Sequence, residues 1–346
     1  EMCIRDRYYT LKKAEQLLNA GYVIAKSQIP VNTSGFVFEQ LANKASGHPE
    51  ILAPRIKEPD VNRVIVEGEN FNIEFSKVDG FLCRYDVNGI SMLEKGTSLI
   101  PNFWRAGTDN DYGARLNLKY KVWKNPVMKL KGINSRVENS MVYVDAEYQM
   151  PEVFSILKLS YVINNEGDIQ VTQKLLTEKG KKVPNMFRYG MRMRMPKEMY
   201  YSHFYGRGPV ENYIDRNHNS FVGIYKMTTQ EQFYPYIRPQ ENGCKTDIRW
   251  WNQTNKGGIG LNFVASKPFS MVALNYTIES LDDGDLKDQR HSGQVEPADF
   301  TEVCIDYAQQ GLGGENSWGS TCLPQYRLTY KDYEFTYQIK PLDTVY

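Results

Sequence analysis

Residues 155–176 read SILKLSYVINNEGDIQVTQKLL, two runs of alternating apolar and polar side chains on either side of Asn164, Asn165, Glu166 and Gly167. A period of two belongs to a strand with one buried face, and an Asn/Gly break between two such runs marks a hairpin. The pattern extends outward in both directions. MVYVDAEYQM (141–150) alternates in the same way. RVIVEG (63–68) and NFNIEFSK (70–77) place Val64 and Val66, then Phe71, Ile73 and Phe75, on one face each. Near the end, YRLTYKDYEFTYQIKPL (326–342) predicts another hairpin: Tyr326, Leu328 and Tyr330, a Lys331–Asp332 turn, then Phe335, Tyr337 and Ile339. The 24 tyrosines suit half-buried pleated surfaces, where the ring packs and the hydroxyl reaches water.

Helical patterns are scarce. TLKKAEQLLNAG (10–21) could form one short helix closed by Gly21, but YVIAKSQIPV directly after it reads as a strand. Strands joined by turns, with almost no helix between them, predict an all-β antiparallel sandwich. Between Val31 and Asn62 the alternation weakens around Gly35, Gly47, Pro49, Pro54 and Pro59. The chain therefore divides into 1–33, the tail of one domain; 34–62, a connector; and 63–341, one large β domain. The first piece is too short for a core of its own and needs strands from elsewhere. Its opening EMCIRDR (1–7) fits no pattern that follows and resembles read-through at the edge of an assembled fragment.

Bulk properties narrow the function. With 346 residues, 41% of them hydrophobic, the chain can bury roughly 75% of its unfolded surface without staples. A net charge of +1 with no block of one sign favours neither nucleic acid nor an anionic membrane. Five scattered cysteines lack CxxC spacing, and the four histidines, His48, His203, His218 and His291, lack metal-ligand spacing. No run of 18 apolar residues exists to span a bilayer, and the compartment, cytoplasmic or periplasmic, stays open.

Four polar clusters stand out: NFWRAGTDNDYGAR (102–115), YGRGPVENYIDR (205–216), YPYIRPQENGCKTDIRWW (234–251) and GLGGENSWGS (311–320). Read plainly, their polar side chains are loop scaffold, satisfying backbone groups that turns leave unpaired. On that reading Arg105, Asp109, Asn110, Asp111, Arg207, Glu211, Arg238, Glu241, Asn242 and Asn316 hold loops in place. Read for function, an indole such as Trp318 offers a platform for the C–H face of a pyranose, while Asp, Asn and Arg suit its hydroxyls.

These clusters, with IDYAQQGLGGENSWGS (305–320) the most telling, resemble the small-chain domain of glycoside hydrolase family 2 β-galactosidases, in the family's order. The resemblance implies a galactose-mutarotase-like β-supersandwich, preceded by the end of an immunoglobulin-like domain at AGYVIAKSQIP. It implies that the catalytic glutamates sit on a (β/α)8 barrel or large chain outside these residues, so no catalytic residue is expected here. Trp318 would form the apolar wall of the sugar pocket, and Gly113, Ala114 and Arg115 would open a loop that folds over it. ARLNLK (114–119) lacks the polar residues that hold that loop closed in relatives. The family's magnesium and sodium sites would lie on other domains, with no cofactor in this chain. The partners implied are the barrel, a β-galactoside and further copies of the whole enzyme. Two other readings are a free-standing carbohydrate-binding module and an aldose mutarotase, for which His203, His218 and Glu211 would supply acid and base.

Overall fold

The computed structural model describes residues 3–32, 38–41, 52–316 and 319–342. The chain forms two compact units, residues 1–38 and 39–346. The first is an antiparallel hairpin of β1 (Cys3–Thr10) and β2 (Val23–Asn32), with Arg7 opposite Ser27. Residues 11–22, where the sequence allows a helix, are a turn connection instead, with Leu11 N–H bonded to the Tyr22 carbonyl (2.9 Å). Leu17 in this stretch is 91% exposed, so a helix there would have no apolar face to bury, and short isolated helices are marginal. The hairpin leaves Tyr8, Ile24 and Val31 exposed and buries no core within itself.

The second unit holds two sheets. A five-stranded meander comprises β3 (Arg55–Lys57), β4 (Arg63–Glu67), β5 (Phe71–Ser76), β6 (Leu82–Val87) and β7 (Ile90–Ser91). The 12-stranded sheet begins with β8 (Ile100–Asn102), β9 (Lys129–Glu138), β10 (Met141–Met150), β11 (Ser155–Ile163) and β12 (Ile169–Thr177). It continues with β13 (Arg188–Pro196), β14 (Tyr201–Gly208), β15 (Phe221–Thr228) and β16 (Lys245–Thr254). It ends with β17 (Gly260–Leu274), β18 (Phe300–Gln309) and β19 (Tyr333–Leu342). Short helices interrupt it: α1 (Asp109–Gly113), α2 (Leu116–Lys119), α3 (Thr229–Gln232) and α4 (Ile278–Leu281). Every strand pair among the described residues is antiparallel, and the architecture is the all-β one expected.

The alternation decides which faces meet. β11 and β12 form the hairpin read from the sequence, in register from Ser155–Thr177 to Ile163–Ile169, with the Asn164 carboxamide oxygen accepting from the Glu166 and Asp168 amides. Their inward side chains, with those of β10, face the meander. The Phe75 ring meets Tyr161 edge-on at 4.9 Å, and Phe81 stacks on Tyr148 at 5.4 Å. Slipping β11 by one residue would carry Leu157, Leu159 and Tyr161 from this core into water.

The expected C-terminal hairpin does not form. Tyr333–Leu342 is a strand, but Pro324–Tyr326 is a 3-10 turn and Leu328 makes only an isolated bridge to Met186. The reason is occupancy. β12 pairs with β19 over Tyr333–Ile339 and β17 pairs with it over Tyr337–Leu342, so from Tyr337 to Ile339 both edges are taken, while Met186 takes Leu328 into a separate bridge. β17 itself divides its pairing. Gly260–Ala265 lies on β19, and Ser270–Leu274 lies on β18 after an exposed bend at Ser266–Pro268. A proline in a strand belongs at such a break, because it cannot donate to the ladder.

Leu159→Ala should lower the unfolding free energy by about 2–5 kcal/mol through loss of burial plus a residual cavity. Lys158→Ala, one residue away on the exposed face, should change it by less than ~0.5 kcal/mol. Urea unfolding of both variants measures the contrast, and equal losses would contradict the assigned register.

Candidate functional site

The four polar clusters, separated by up to two hundred residues in sequence, are hydrogen-bonded to one another. The first begins with a local device. In Thr108–Asp109–Asn110–Asp111 the Thr108 hydroxyl accepts from the Asp111 amide (3.1 Å), while the Asp111 carboxylate accepts from the Thr108 amide (3.0 Å). This reciprocal cap starts α1 and fixes where Asp111 points. Asp111 then receives Arg105 Nε at 3.0 Å and Nη2 at 2.8 Å, a bidentate pair buried on both sides.

Arg105 also reaches the fourth cluster. Its Nη1 donates to the Gln310 carbonyl (2.6 Å) and its Nη2 to the Gly311 carbonyl (3.3 Å). Burial works against the charge on Arg105, and Asp111 more than restores it, leaving its pKa above the ordinary value. The second cluster grips the same segment from the other side. Asp215 accepts from the Leu312 amide (3.1 Å) and the Gly313 amide (2.9 Å). A Cβ at position 311 would stand 2.6 Å from the Asp215 carboxylate, so only glycine admits this approach. At the far end of the loop, Gly319 takes φ +85°, and a Cβ there would lie 2.6 Å from the Gly113 carbonyl oxygen. Between these anchors the Asn316 amide donates to the Ser320 hydroxyl (2.8 Å).

The third cluster closes the ring. The Glu241 amide donates to the Ala106 carbonyl (3.3 Å), and the Glu241 carboxylate receives Arg188 Nη2. Arg188 Nη1 reaches Asp306 at 3.1 Å, so one buried guanidinium serves two buried carboxylates. Glu211 accepts from Arg216 (2.7 Å), from the Tyr236 hydroxyl and from the Gly243 amide (2.8 Å). Asn242 holds a turn, donating to the Gln240 carbonyl (3.0 Å) and accepting from the Tyr234 amide (3.3 Å). Lys245, fully buried, donates to the Gly243 carbonyl (3.0 Å), and burial brings its pKa down to about 8.

The remaining predicted residues take lesser places. Arg238 pairs with Asp283 (3.0 Å) and lies 3.7 Å from Asp109, which also receives Lys287 (2.5 Å). Arg207 pairs with Asp247 (2.5 Å) and secures the Ser220 carbonyl (2.9 Å). Asn110 lies beside Gly314, where a Cβ would meet its amide nitrogen at 2.7 Å. Gly113 and Arg115 are exposed, Ala114 is buried, and the expected loop is two helical turns hinged at Arg115, which adopts φ 57° and ψ 33°. Trp318 lies outside the described residues. Reading the sequence missed Arg188 and Asp306 as site residues. Asp306 stood inside the IDYAQQG motif, but Arg188 lies in RYGMRMRMP, where nothing separates it from the two arginines that follow.

A family model described as Beta galactosidase small chain matches residues 67–339. The chain belongs to that family. Among curated relatives it is 29% identical to a beta-galactosidase of Priestia megaterium over 335 residues, covering 96% of this chain and 31% of that protein. A beta-galactosidase of Lactobacillus delbrueckii subsp. bulgaricus is 30% identical over 311 residues, 88% of this chain and 30% of its own length. This small-chain sequence therefore spans about 31% of the length of the relatives it matches. A solved galactose 1-epimerase from Lactobacillus acidophilus superposes with a TM-score of 0.46 at 10% identity, covering 84% of this chain and 98% of that one. A superposition that loose says nothing of activity. Of the mutarotase candidates, Glu211 is spent on the contacts above, the His203 ring stands edge-on against Trp250 at 5.0 Å, and His218 is exposed.

Arg105→Met should cost about 3–5 kcal/mol in urea unfolding, because it strands the buried Asp111 carboxylate. Asp306 predicts a pH effect. Burial pushes its pKa up, Arg188 pulls it back and Glu241 raises it again, to about 7 from an ordinary 3.8. The folded chain thus keeps a proton that the unfolded chain has released. The contribution is full below 3.8 and is lost as pH rises through about 7. Asp306→Asn should flatten the fall of stability over that window by up to about 1.4 kcal/mol per pH unit. A profile parallel to the parent's would refute the assignment.

Proposed function

We propose that this small-chain domain is the C-terminal part of a β-galactosidase and completes the sugar pocket of a catalytic barrel carried by another segment of the same enzyme. The reaction would be hydrolysis of terminal β-D-galactosides with retention. That chemistry needs two carboxylates ~5–5.5 Å apart, one free to protonate the leaving group and one free to attack carbon. The carrying observation is that five acids of the motif clusters, Asp111, Glu211, Asp215, Glu241 and Asp306, are each engaged by an arginine or by backbone amides. They are builders of shape. What they build is a glycine-rich segment anchored at Gly311–Gly313 and at Gly319, with Trp318 between the anchors.

In this reading Trp318 supplies an apolar wall against the C–H face of the sugar, and the clamps of Arg105 and Asp215 spare substrate the cost of ordering the loop. Gly113–Arg115, packed against Gly319, would form the neighbouring rim. The partners are the barrel and its galactoside. Any magnesium or sodium of the whole enzyme would belong to its other segments.

Mixed with a large-chain homologue, the chain should restore cleavage of a chromogenic β-galactoside, while neither component cleaves it alone. Trp318→Ala in the restored enzyme should weaken substrate or glucose-acceptor binding by about 1–3 kcal/mol, the worth of one large buried side chain, with folding unchanged. Lost solubility with unchanged kinetics would assign the indole to packing instead.

A further inference from the structure

Residues 188 and 309 pair at one end of β13 and β18, beside the motif cluster; Pro196 and Phe300 pair at the other. At that end four connections surround a cleft of about 940 Å³, whose wall takes in Pro235 from the start of the third cluster and Tyr276, which also borders the small cavity beside Arg188 and Glu241. The connections are the β13–β14 turn, the segment after β15, the segment after β17 and the approach to β18. We propose that this cleft is a binding site for a neutral oligosaccharide, independent of Trp318.

The chemistry of the walls supports that ligand class. Phe233 and Tyr276, stacked at 4.1 Å, and Tyr200 supply aromatic surface for the C–H faces of sugar rings. Gln230, exposed on the rim, brings an amide able to donate to one hydroxyl and accept from another. An anionic ligand is disfavoured, because the cation that lines the cleft, Lys197, is already paired with Asp299 (2.5 Å) beside Glu198. The volume falls within the range of small-ligand sites and accommodates more than one sugar ring.

The cleft is also built in advance. The Thr229 amide donates to the Tyr200 carbonyl (2.9 Å), and the Thr229 hydroxyl donates to Asn275 (2.5 Å). Asn275 in turn donates to the Phe300 carbonyl (2.9 Å) and accepts the Ala298 amide on its own carbonyl (2.7 Å). All four connections are thus bonded together, so a ligand would not have to order them.

The test titrates the full chain carrying Trp318→Ala with linear β-1,4-galactotetraose by isothermal calorimetry. Saturable binding is expected. Ala298→Trp, which fills the cleft, and Gln230→Ala, which touches no packing, should each weaken it, the former by at least about ten-fold, the scale of losing an aromatic contact or more. Tyr276→Ala should do likewise, but its stack with Phe233 makes folding a concern, so the filling variant decides. Saturable binding that requires Trp318 and ignores Ala298→Trp would overturn the cleft while leaving the pocket-wall reading standing. No heat with the Trp318→Ala chain, or binding that survives Ala298→Trp, would also overturn it.

Discussion

A glycine-rich loop has almost no side chains by which the rest of a protein can hold it, so it must be held by its backbone. In this chain Arg105 does so on the carbonyl side, donating to Gln310 and Gly311, and Asp215 does so on the amide side, accepting from Leu312 and Gly313. The guanidinium is suited to this task because its donors form a rigid fork, leaving directions for two carbonyls after Asp111 has taken the bidentate edge. A lysine would provide the charge without the fork. Both clamps are desolvated or partly so, which makes each bond worth more than on the surface and makes the loss of one partner costly.

Arg188 has the parallel role a layer deeper. It joins Glu241, from the third cluster, to Asp306 on β18, and so ties the loops to the sheet beneath them. Burial raises the pKa of Asp306, Arg188 pulls it back, and the like charge of Glu241 adds to the rise. Such a pair can look like an acid–base couple when only pKa is considered. Its burial and its Arg188 contacts mark it as structural.

The same economy explains why a domain rich in Asp, Glu and Arg contributes surface instead of reactive groups in the reading proposed here. The charges that hold the loops, Arg105, Asp111, Arg188, Glu211, Asp215 and Glu241, are answered inside the chain. Among the features left exposed are the rim at Gly113 and Arg115 and the aromatic surface of the cleft beyond β13. A rigid sheet with loops bonded to one another is well suited to presenting such features with little entropic cost to a ligand.

The strands at 63–76 and 141–177, their buried faces and the Asn164–Gly167 hairpin were determined by local sequence, because alternation and turn chemistry act between neighbours in the chain. The types of residue in the four clusters were equally plain. Which strand lies beside which was not: β19 reads as half of a hairpin until β12 and β17 pair with it. Nor could Arg188 be distinguished from Arg192 or Arg194, since only the tertiary fold buries the first against two acids while the others meet Glu302 near the surface. Periodicity reports the face a residue turns inward, whereas its partner is selected by contacts that exist only once distant segments have been brought together.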